Sequence, residues 1–153
     1  MPTPGHEKIV AGLEKALLPF LAPEPTRLQD VFADIRAIAQ ALEVPERGAA
    51  LVARLAAELE PSPSPAQRPK IAVQWWPKPV ILPGRKSWVS DLIAAAGGVS
   101  LIGDEDVKSR PLEDAEFATK APDVIVMSWC GVEEKKYRAD VIYRNPTFRE
   151  IPA

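Results

Sequence analysis

Cysteine and histidine are almost absent from this sequence, which has one of each among 153 residues, Cys130 and His6. A single cysteine cannot form a disulfide within the chain, and the two side chains are too few ligands for a cysteine–histidine zinc site. A catalytic pair of the two would require the chain terminus to reach a distant loop. The composition therefore indicates neither a disulfide framework nor a zinc domain.

Long apolar runs and an excess of one charge are also lacking. No run approaches the roughly 18 apolar residues of a membrane-spanning helix, and the first thirty residues contain no signal peptide pattern. The 19 basic and 21 acidic residues give a formal net charge of −2, without a basic stripe carrying interleaved aromatic residues. We expect a chain that does not span a membrane, does not bind nucleic acid and, as written, stays in the cytoplasm.

Catalytic motifs are missing as well. The sequence has no glycine-rich phosphate loop, no nucleophile elbow and no acid–base pair. The acidic run from Asp104 to Asp106 is typical of a solvated loop, since paired carboxylates need a pocket to act in hydrolysis. We therefore expect no enzymatic activity and no cofactor.

Proline is abundant, with 17 residues, and it divides the chain. Four prolines fall within nine residues: Pro61, Pro63, Pro65 and Pro69. Alternating proline excludes a helix and favours an extended linker. The predicted organisation is a helical segment over residues 1–60, a linker over 61–69 and an incomplete α/β lobe over 70–153.

Apolar residues recur at helical spacing in three segments before the linker. The first segment covers residues 6–18 and ends before Pro19. Thr26, with Gln29 as its capping-box partner, is predicted to open the second helix, and Pro45 opens the third. Each helix has an apolar stripe that it cannot bury alone, so the helices need each other or the second half of the chain.

Short apolar runs alternate with helical patterns after the linker. Strands are predicted at 71–76, 99–102 and 124–127, the last of them buried, and helices at 87–96, 112–119 and 133–139. Residues 77–84 and 104–110 are predicted to be loops, the first of them made rigid by proline. This alternation predicts a parallel sheet with helices on its faces and a ligand crevice at the carboxyl ends of the strands.

Several stretches resemble the C-terminal lobe of periplasmic binding proteins for cobalamin and iron chelates. They are VQWWPKP at 73–79, PGRKSWVSDL at 83–92, AGG at 96–98, DEDVKSR at 104–110, APDVIV at 121–126 and SWCG at 128–131. The stretch LQDVFADI at 28–35 resembles the long helix that connects the two lobes of these proteins. The resemblance implies a helical N-terminal segment followed by a small Rossmann-like lobe of the class III type.

The resemblance leaves two interpretations of residues 4–22. They are either the last helix of an N-terminal lobe that is otherwise missing, or the family's terminal helix placed at the front of a permuted lobe. The last strand and helix of the second lobe have no counterpart before Ala153. A sheet face or edge is therefore expected to lie uncovered, and we expect the chain to self-associate.

The resemblance and the predicted strand ends together give candidate ligand-contact residues. They are Trp75, Trp76, Pro77, Trp129 and Cys130. Trp75 and Trp76 are adjacent on a strand and face opposite sides, so one of them packs inward and Trp76 is the better candidate for stacking on a flat macrocycle. A lone cysteine such as Cys130 is more often a small apolar filler, and Trp88 is expected to pack between helix and sheet.

Asp91 matches an acidic position that contacts permease arginines in the resembling family, although a carboxylate in the first turn of a helix is also favoured by the helix dipole. The implied function is that of a solute-binding component, or a truncated remnant of one, serving an ABC importer for cobalamin or a related metal chelate. The alternative is a degenerate half-receptor that forms a homodimer without binding ligand. The family implies a periplasmic location.

Overall fold

The computed structural model describes residues 7–61, 63, 66–129, 131–138 and 140–153. The expectations for His6, Pro65 and Cys130 lie outside these described residues. The helical half comprises α1 (Glu7–Lys15), α2 (Leu28–Ala41) and α3 (Pro45–Glu58). All three predicted helices are therefore present, with the first ending well before the proline that was expected to stop it.

Helices α2 and α3 pack against each other at very short range. A Cβ added to Gly48 would lie only 2.4 Å from the Cβ of Ala39, so no residue larger than glycine fits there without a shift. Phe32, Ala39 and Val52 are buried. The stripes predicted from sequence thus meet each other, as amphipathic helices require.

The start of α2 differs from the prediction. Its N-cap is Arg27 rather than Thr26, and the capping carboxylate belongs to Asp30 rather than to the Gln29 amide. Asp30 Oδ2 accepts hydrogen bonds of 2.9 Å from the backbone N–H groups of Thr26 and Arg27 and from the Thr26 hydroxyl. These bonds lower the pKa of Asp30, because they stabilise its ionised form.

The α/β half begins at Lys70. In chain order it contains β1 (Lys70–Gln74), β2 (Trp76–Pro77), β3 (Val80–Pro83), α4 (Trp88–Ala95), β4 (Val99–Ser100), β5 (Ser109–Leu112), α5 (Asp114–Lys120), β6 (Val124–Met127) and α6 (Asp140–Tyr143), with 3-10 turns at Glu134–Lys136 and Pro146–Phe148. Strands β4, β1 and β6 form a parallel sheet in that order. The predicted α/β class and parallel sheet are confirmed, with β1 at the centre and β6 at an edge of the described sheet.

A second, antiparallel sheet was not predicted. Strands β2, β3 and β5 pair in that order, so the expected loops at 77–84 and 104–110 both contain strand residues. Of the prolines that argued for a loop at 77–84, Pro77 and Pro83 lie at strand ends, where a missing N–H does not break a ladder, and Pro79 lies in the turn between β2 and β3. The first helix after β5 starts at Asp114 instead of 112, and the helix expected at 133–139 is replaced by a 3-10 turn and α6.

The main core lies on one face of the parallel sheet. It joins Ala72 of β1 to side chains of the antiparallel sheet, α5, α6 and the C-terminal turn, including Val80, Leu82, Leu112, Phe117, Ile142 and Phe148. The rings of Phe117 and Phe148 meet edge to face, with centroids 5.1 Å apart. The opposite face is different: Val124 and Val126 are 41% and 44% exposed. The prediction that β6 is a buried strand is wrong, because only one of its faces is covered.

Candidate functional site

An apolar groove runs along the uncovered face of the parallel sheet. Alternation along β1 places Ile71 and Val73 on this face, and the β1–β6 register sets Val126 beside Val73. The strand predicted at 71–76 ends at Gln74, and Trp75 lines the groove just beyond it. Helix α4 forms the other wall. The groove has a volume of about 700 Å³, and its lining comprises Ile71, Val73, Trp75, Trp88, Val89, Leu92, Ile93, Ala96, Val126, Ser128 and Trp129. None of these eleven residues is charged.

Trp129 is held by three interactions at the end of β6. Its indole Nε1–H donates to Oε1 of Gln74 over 3.0 Å, and its ring stacks on that of Tyr137 with centroids 5.3 Å apart and an interplanar angle of 18°. The Tyr137 hydroxyl donates to the Trp129 carbonyl oxygen. Trp129 is only 7% exposed, because Tyr137 stacks on one face of its ring, and it contributes to the groove lining.

Gln74, the partner of that indole, is completely buried. Its Oε1 is satisfied by Trp129, while its Nε2 has no hydrogen-bond partner. A buried amide with an unsatisfied N–H₂ group costs about 1–3 kcal/mol. The carboxyl end of β1 therefore keeps a polar group whose only bond in the described chain positions Trp129.

Trp76 points away from the groove. It lies on β2, where it pairs with Ile81 of β3, and it is 44% exposed. Its neighbour Pro77 lines a smaller cleft of about 350 Å³ with Lys78, Asp114, Val141, Arg144, Asn145 and Pro146. Within the described part of the chain Lys78 has no carboxylate partner, whereas Arg144 is bound to Asp140. This side of the lobe offers an accessible indole next to a free ammonium group.

Asp91, on α4, binds the N-terminal end of α2. Its Oδ2 accepts from the backbone N–H of Leu28 over 2.8 Å, and the Arg27 Nε–H contacts both carboxylate oxygens at 2.9 and 3.1 Å. The side chain of Asp91 is 25% exposed. It borders a third cleft of about 650 Å³ together with Arg68, Lys70 and Arg85. The Asp91 carboxylate thus links α4 to the N-terminal end of α2.

The family model for periplasmic binding proteins matches residues 13–153. The chain belongs to the periplasmic binding protein family. Because this is a family of binding proteins rather than enzymes, membership bears out the expectation that the chain is not an enzyme, and it bears out the resemblance noted in the sequence.

Solved structures of periplasmic binding proteins share the fold. The heme-binding protein RhuT from Roseiflexus sp. RS-1 is 25% identical, with a TM-score of 0.76, covering 97% of this chain and 59% of that one. An ABC transporter substrate-binding protein from Listeria monocytogenes EGD-e is 16% identical, with a TM-score of 0.78, over 95% and 59%. The vitamin B12-binding protein BtuF of Vibrio cholerae is 20% identical, with a TM-score of 0.59, over 79% and 49%. No curated protein matches the chain.

The chain thus spans between about half and three fifths of these three relatives. Among the residues that the structure describes, no group of histidine, cysteine, aspartate and glutamate side chains could hold a metal ion. In the same residues, no helix is both long and apolar enough to cross a bilayer.

The candidate ligand residues of this periplasmic binding protein fall on two sides. Trp75 and Trp129 line the apolar groove, whereas Pro77 lines the smaller cleft and Trp76 lies on the hairpin beside it. Cys130 lies outside the described residues. Trp88 is 38% exposed and borders the groove rather than packing fully between helix and sheet.

Three contributors to the site were missed from sequence: Gln74, Lys78 and Tyr137. A signal existed only for Gln74, the single polar residue within the apolar run 71–76. Lys78 sits among prolines and Tyr137 in a charged segment, and neither environment marks a residue as a neighbour of the strand ends.

The acidic loop before β5 is largely paired. Arg110 bonds Glu105 over 2.5–2.8 Å and Glu116 over 2.5–3.0 Å, and these bonds lower the pKa of both carboxyl groups. Asp106 pairs with Arg85 and Lys86. The charges fasten β5 and α5 together, so this loop is a structural element of the lobe and supplies no hydrolytic pair.

Proposed function

We propose that this chain is the solute-binding component of an ABC importer, or a part of one, and that it binds cobalamin or a related metal chelate. The observation that carries the proposal is the exposed ring of Trp76, which lies two residues beyond the central parallel strand in a member of the periplasmic binding protein family. Ligands of open α/β sheets bind at the carboxyl ends of the strands. The relatives include a heme-binding and a vitamin B12-binding protein, which supports a planar chelate.

The ligand contact is proposed to come from Trp76 and Pro77 on the hairpin, with Trp75 and Trp129 at the neighbouring strand ends. Cys130, which follows Trp129 in the sequence, is a further candidate. An indole offers a large flat surface at low entropic cost. Stacking on such a ring is worth about 1–3 kcal/mol, and association costs at least several kcal/mol. Two such contacts on one lobe give weak binding, roughly micromolar to millimolar.

Lys78 is proposed to select for the charge of the ligand's side arms. Its ammonium group lies on the residue after Pro77 and is not neutralised by a carboxylate of the described chain. A chelate with carboxylate side arms would gain a charge-assisted contact there, which a chelate bearing only neutral amides would not. Heme and cyanocobalamin differ in this respect, so their relative affinities report on the contribution of Lys78.

Asp91 is the residue proposed to face the permease. Part of its carboxylate remains accessible, and a permease arginine is the chemical partner that it would attract. A periplasmic location accompanies this role, as for the family as a whole.

The test is a titration of the chain with cyanocobalamin and, separately, with hemin, followed by tryptophan quenching and by calorimetry. Trp76→Ala is expected to weaken binding at least fivefold, while Leu42→Ala, which truncates an exposed side chain at the end of α2, serves as the control and leaves affinity unchanged. Equal affinities for wild type and Trp76→Ala would remove this residue from the site. No binding of either chelate at millimolar concentration would refute the proposed function.

A second candidate is an interaction protein that dimerises without a ligand. The observation that favours it is the uncovered apolar groove, since monomers rarely expose contiguous apolar patches of more than a few hundred Å². A mass that rises with concentration in the absence of chelate, with no response to either chelate, would support this candidate over the first.

A further inference from the structure

We propose that the groove between α4 and β6 receives the N-terminal helix α1 of a second copy of this chain, and that two copies exchange these helices reciprocally. The inference specifies the surfaces of the second candidate above and does not depend on chelate binding. It rests on two unpartnered apolar surfaces carried by the same chain.

The first surface is the groove. Its walls are apolar throughout except for one serine, and three indoles border it, those of Trp75, Trp88 and Trp129. Val126, on its floor, is 44% exposed although it lies within a sheet. A strip of this shape, flanked by a helix on one side and open along β6, fits an amphipathic helix laid lengthwise, which is a common recognition mode.

The second surface is the segment from α1 to residue 21. No residue of α1 is buried, although Ile9 and Leu13 are spaced four apart on one side of it, as in an amphipathic helix. Ile9 is 61% exposed, and the chain after the helix continues with further exposed apolar side chains: Leu17, Leu18, Phe20 and Leu21. The charged residues of α1 fall on its other positions. The segment thus carries an exposed apolar stripe, which is the kind of surface that an uncovered apolar groove binds.

The area required is modest. A stable interface buries about 800 Å² on each partner. In a reciprocal exchange each copy contributes one helix and one groove, so each surface must supply only about 400 Å², roughly the area of two or three buried aromatic side chains. Exchange about a twofold axis also closes the assembly, so that it does not grow into fibres.

The second copy is favoured over the chain's own groove by the anchoring of the connecting segment. Lys108 binds Glu24 and Asp91 binds Arg27, which fixes residues 24–27 beside the loop before β5 and beside α4. In this arrangement α1 stays off the groove of its own lobe, and none of its residues contributes to the groove lining.

The test uses the full chain without ligand. Sedimentation velocity across about 1–200 μM is expected to show a species of twice the 16.7 kDa chain mass. The variant Ile9→Glu/Leu13→Glu keeps good helix formers but places two carboxylates on the stripe, and it should weaken association at least tenfold. Lys8→Glu changes the net charge by the same two units on an exposed position and should leave association unchanged.

A cross-linking experiment then identifies which copy supplies the helix. In a Cys130→Ser background, Leu13→Cys chains mixed with Val126→Cys chains are expected to form mixed disulfide dimers on oxidation, and a Lys8→Cys partner should not. A wild-type monomer at all concentrations would overturn the proposal. So would a dimer that Ile9→Glu/Leu13→Glu leaves intact, or an intramolecular disulfide in the Leu13→Cys/Val126→Cys chain.

Discussion

The hydrogen bond between Trp129 and Gln74 makes a quantitative prediction about the end of the central strand. Replacing Gln74 with leucine removes the unsatisfied Nε2 group but leaves the Trp129 N–H without a partner. Each buried unsatisfied group costs about 1–3 kcal/mol, so the two effects oppose each other. Gln74→Leu alone should change the free energy of unfolding by less than about 1 kcal/mol.

Trp129→Phe has a different expected effect. It leaves both polar atoms of Gln74 buried and unpaired, and it also shrinks the ring that stacks on Tyr137. In the double variant Gln74→Leu/Trp129→Phe, neither side chain retains a polar atom that needs a partner. The stability lost through the smaller ring is the same as in Trp129→Phe alone. The double-mutant cycle therefore isolates the two groups of the hydrogen bond, and we expect a coupling of about 2–3 kcal/mol.

The assay is urea unfolding followed by far-UV circular dichroism, because one variant removes an indole and would alter fluorescence by itself. The protein is kept at a concentration where it is monomeric, so that association does not contribute to the measured stability. Additive effects within about 0.5 kcal/mol would refute the reasoning. They would mean that water reaches Gln74 or that the bond to Trp129 does not persist in solution.

Three further predictions follow from the same structure. Asp91→Ala should cost about 0.5–2 kcal/mol of stability, because its carboxylate accepts a hydrogen bond from the Leu28 N–H at the start of α2, whereas Asp104→Ala, on an exposed carboxylate, should cost almost nothing; urea unfolding compares the two. Phe117→Ala should cost about 3–5 kcal/mol because this ring is fully buried, and an unchanged denaturation midpoint would contradict the described core. The pKa of Glu105 is lowered mainly by its bond to Arg110, so its stabilisation is present above the unfolded glutamate pKa of about 4.3 and is lost as pH falls through the lower folded pKa; in Arg110→Gln the melting temperature should fall less steeply between pH 5 and 3.

Most of the helices and the parallel sheet were predictable because their apolar residues follow a clear period. The helix over 87–96 and the strand at 124–127 both appear close to their expected bounds. The antiparallel sheet was not predictable in the same way. Its strands contain Pro77, Pro83 and Pro111. Proline in a local sequence predicts a loop unless the strand that pairs with it is known.

Burial and long-range partners were the weaker part of the prediction. Four consecutive apolar residues at 124–127 indicate a strand, but they do not say whether another element covers each face. Asp91 illustrates the second difficulty: its partners Arg27 and Leu28 lie 64 and 63 residues away, and first-turn carboxylates look alike in sequence whichever group they bind. Gln74 and Tyr137 were missed for the same reason, since their roles arise only when β1 and the segment after β6 come together.

The bond between Asp91 and the start of α2 has a consequence for any partner that would bind this carboxylate. An incoming arginine would meet a carboxylate that already binds Arg27 and of which only a part is accessible. Docking there is an exchange of one guanidinium for another, so the net gain is the difference between two similar interactions. The exchange would also weaken the attachment of α2 to α4. Binding of a partner to Asp91 and binding of Asp91 to the start of α2 are therefore thermodynamically linked, and each weakens the other by the same free energy.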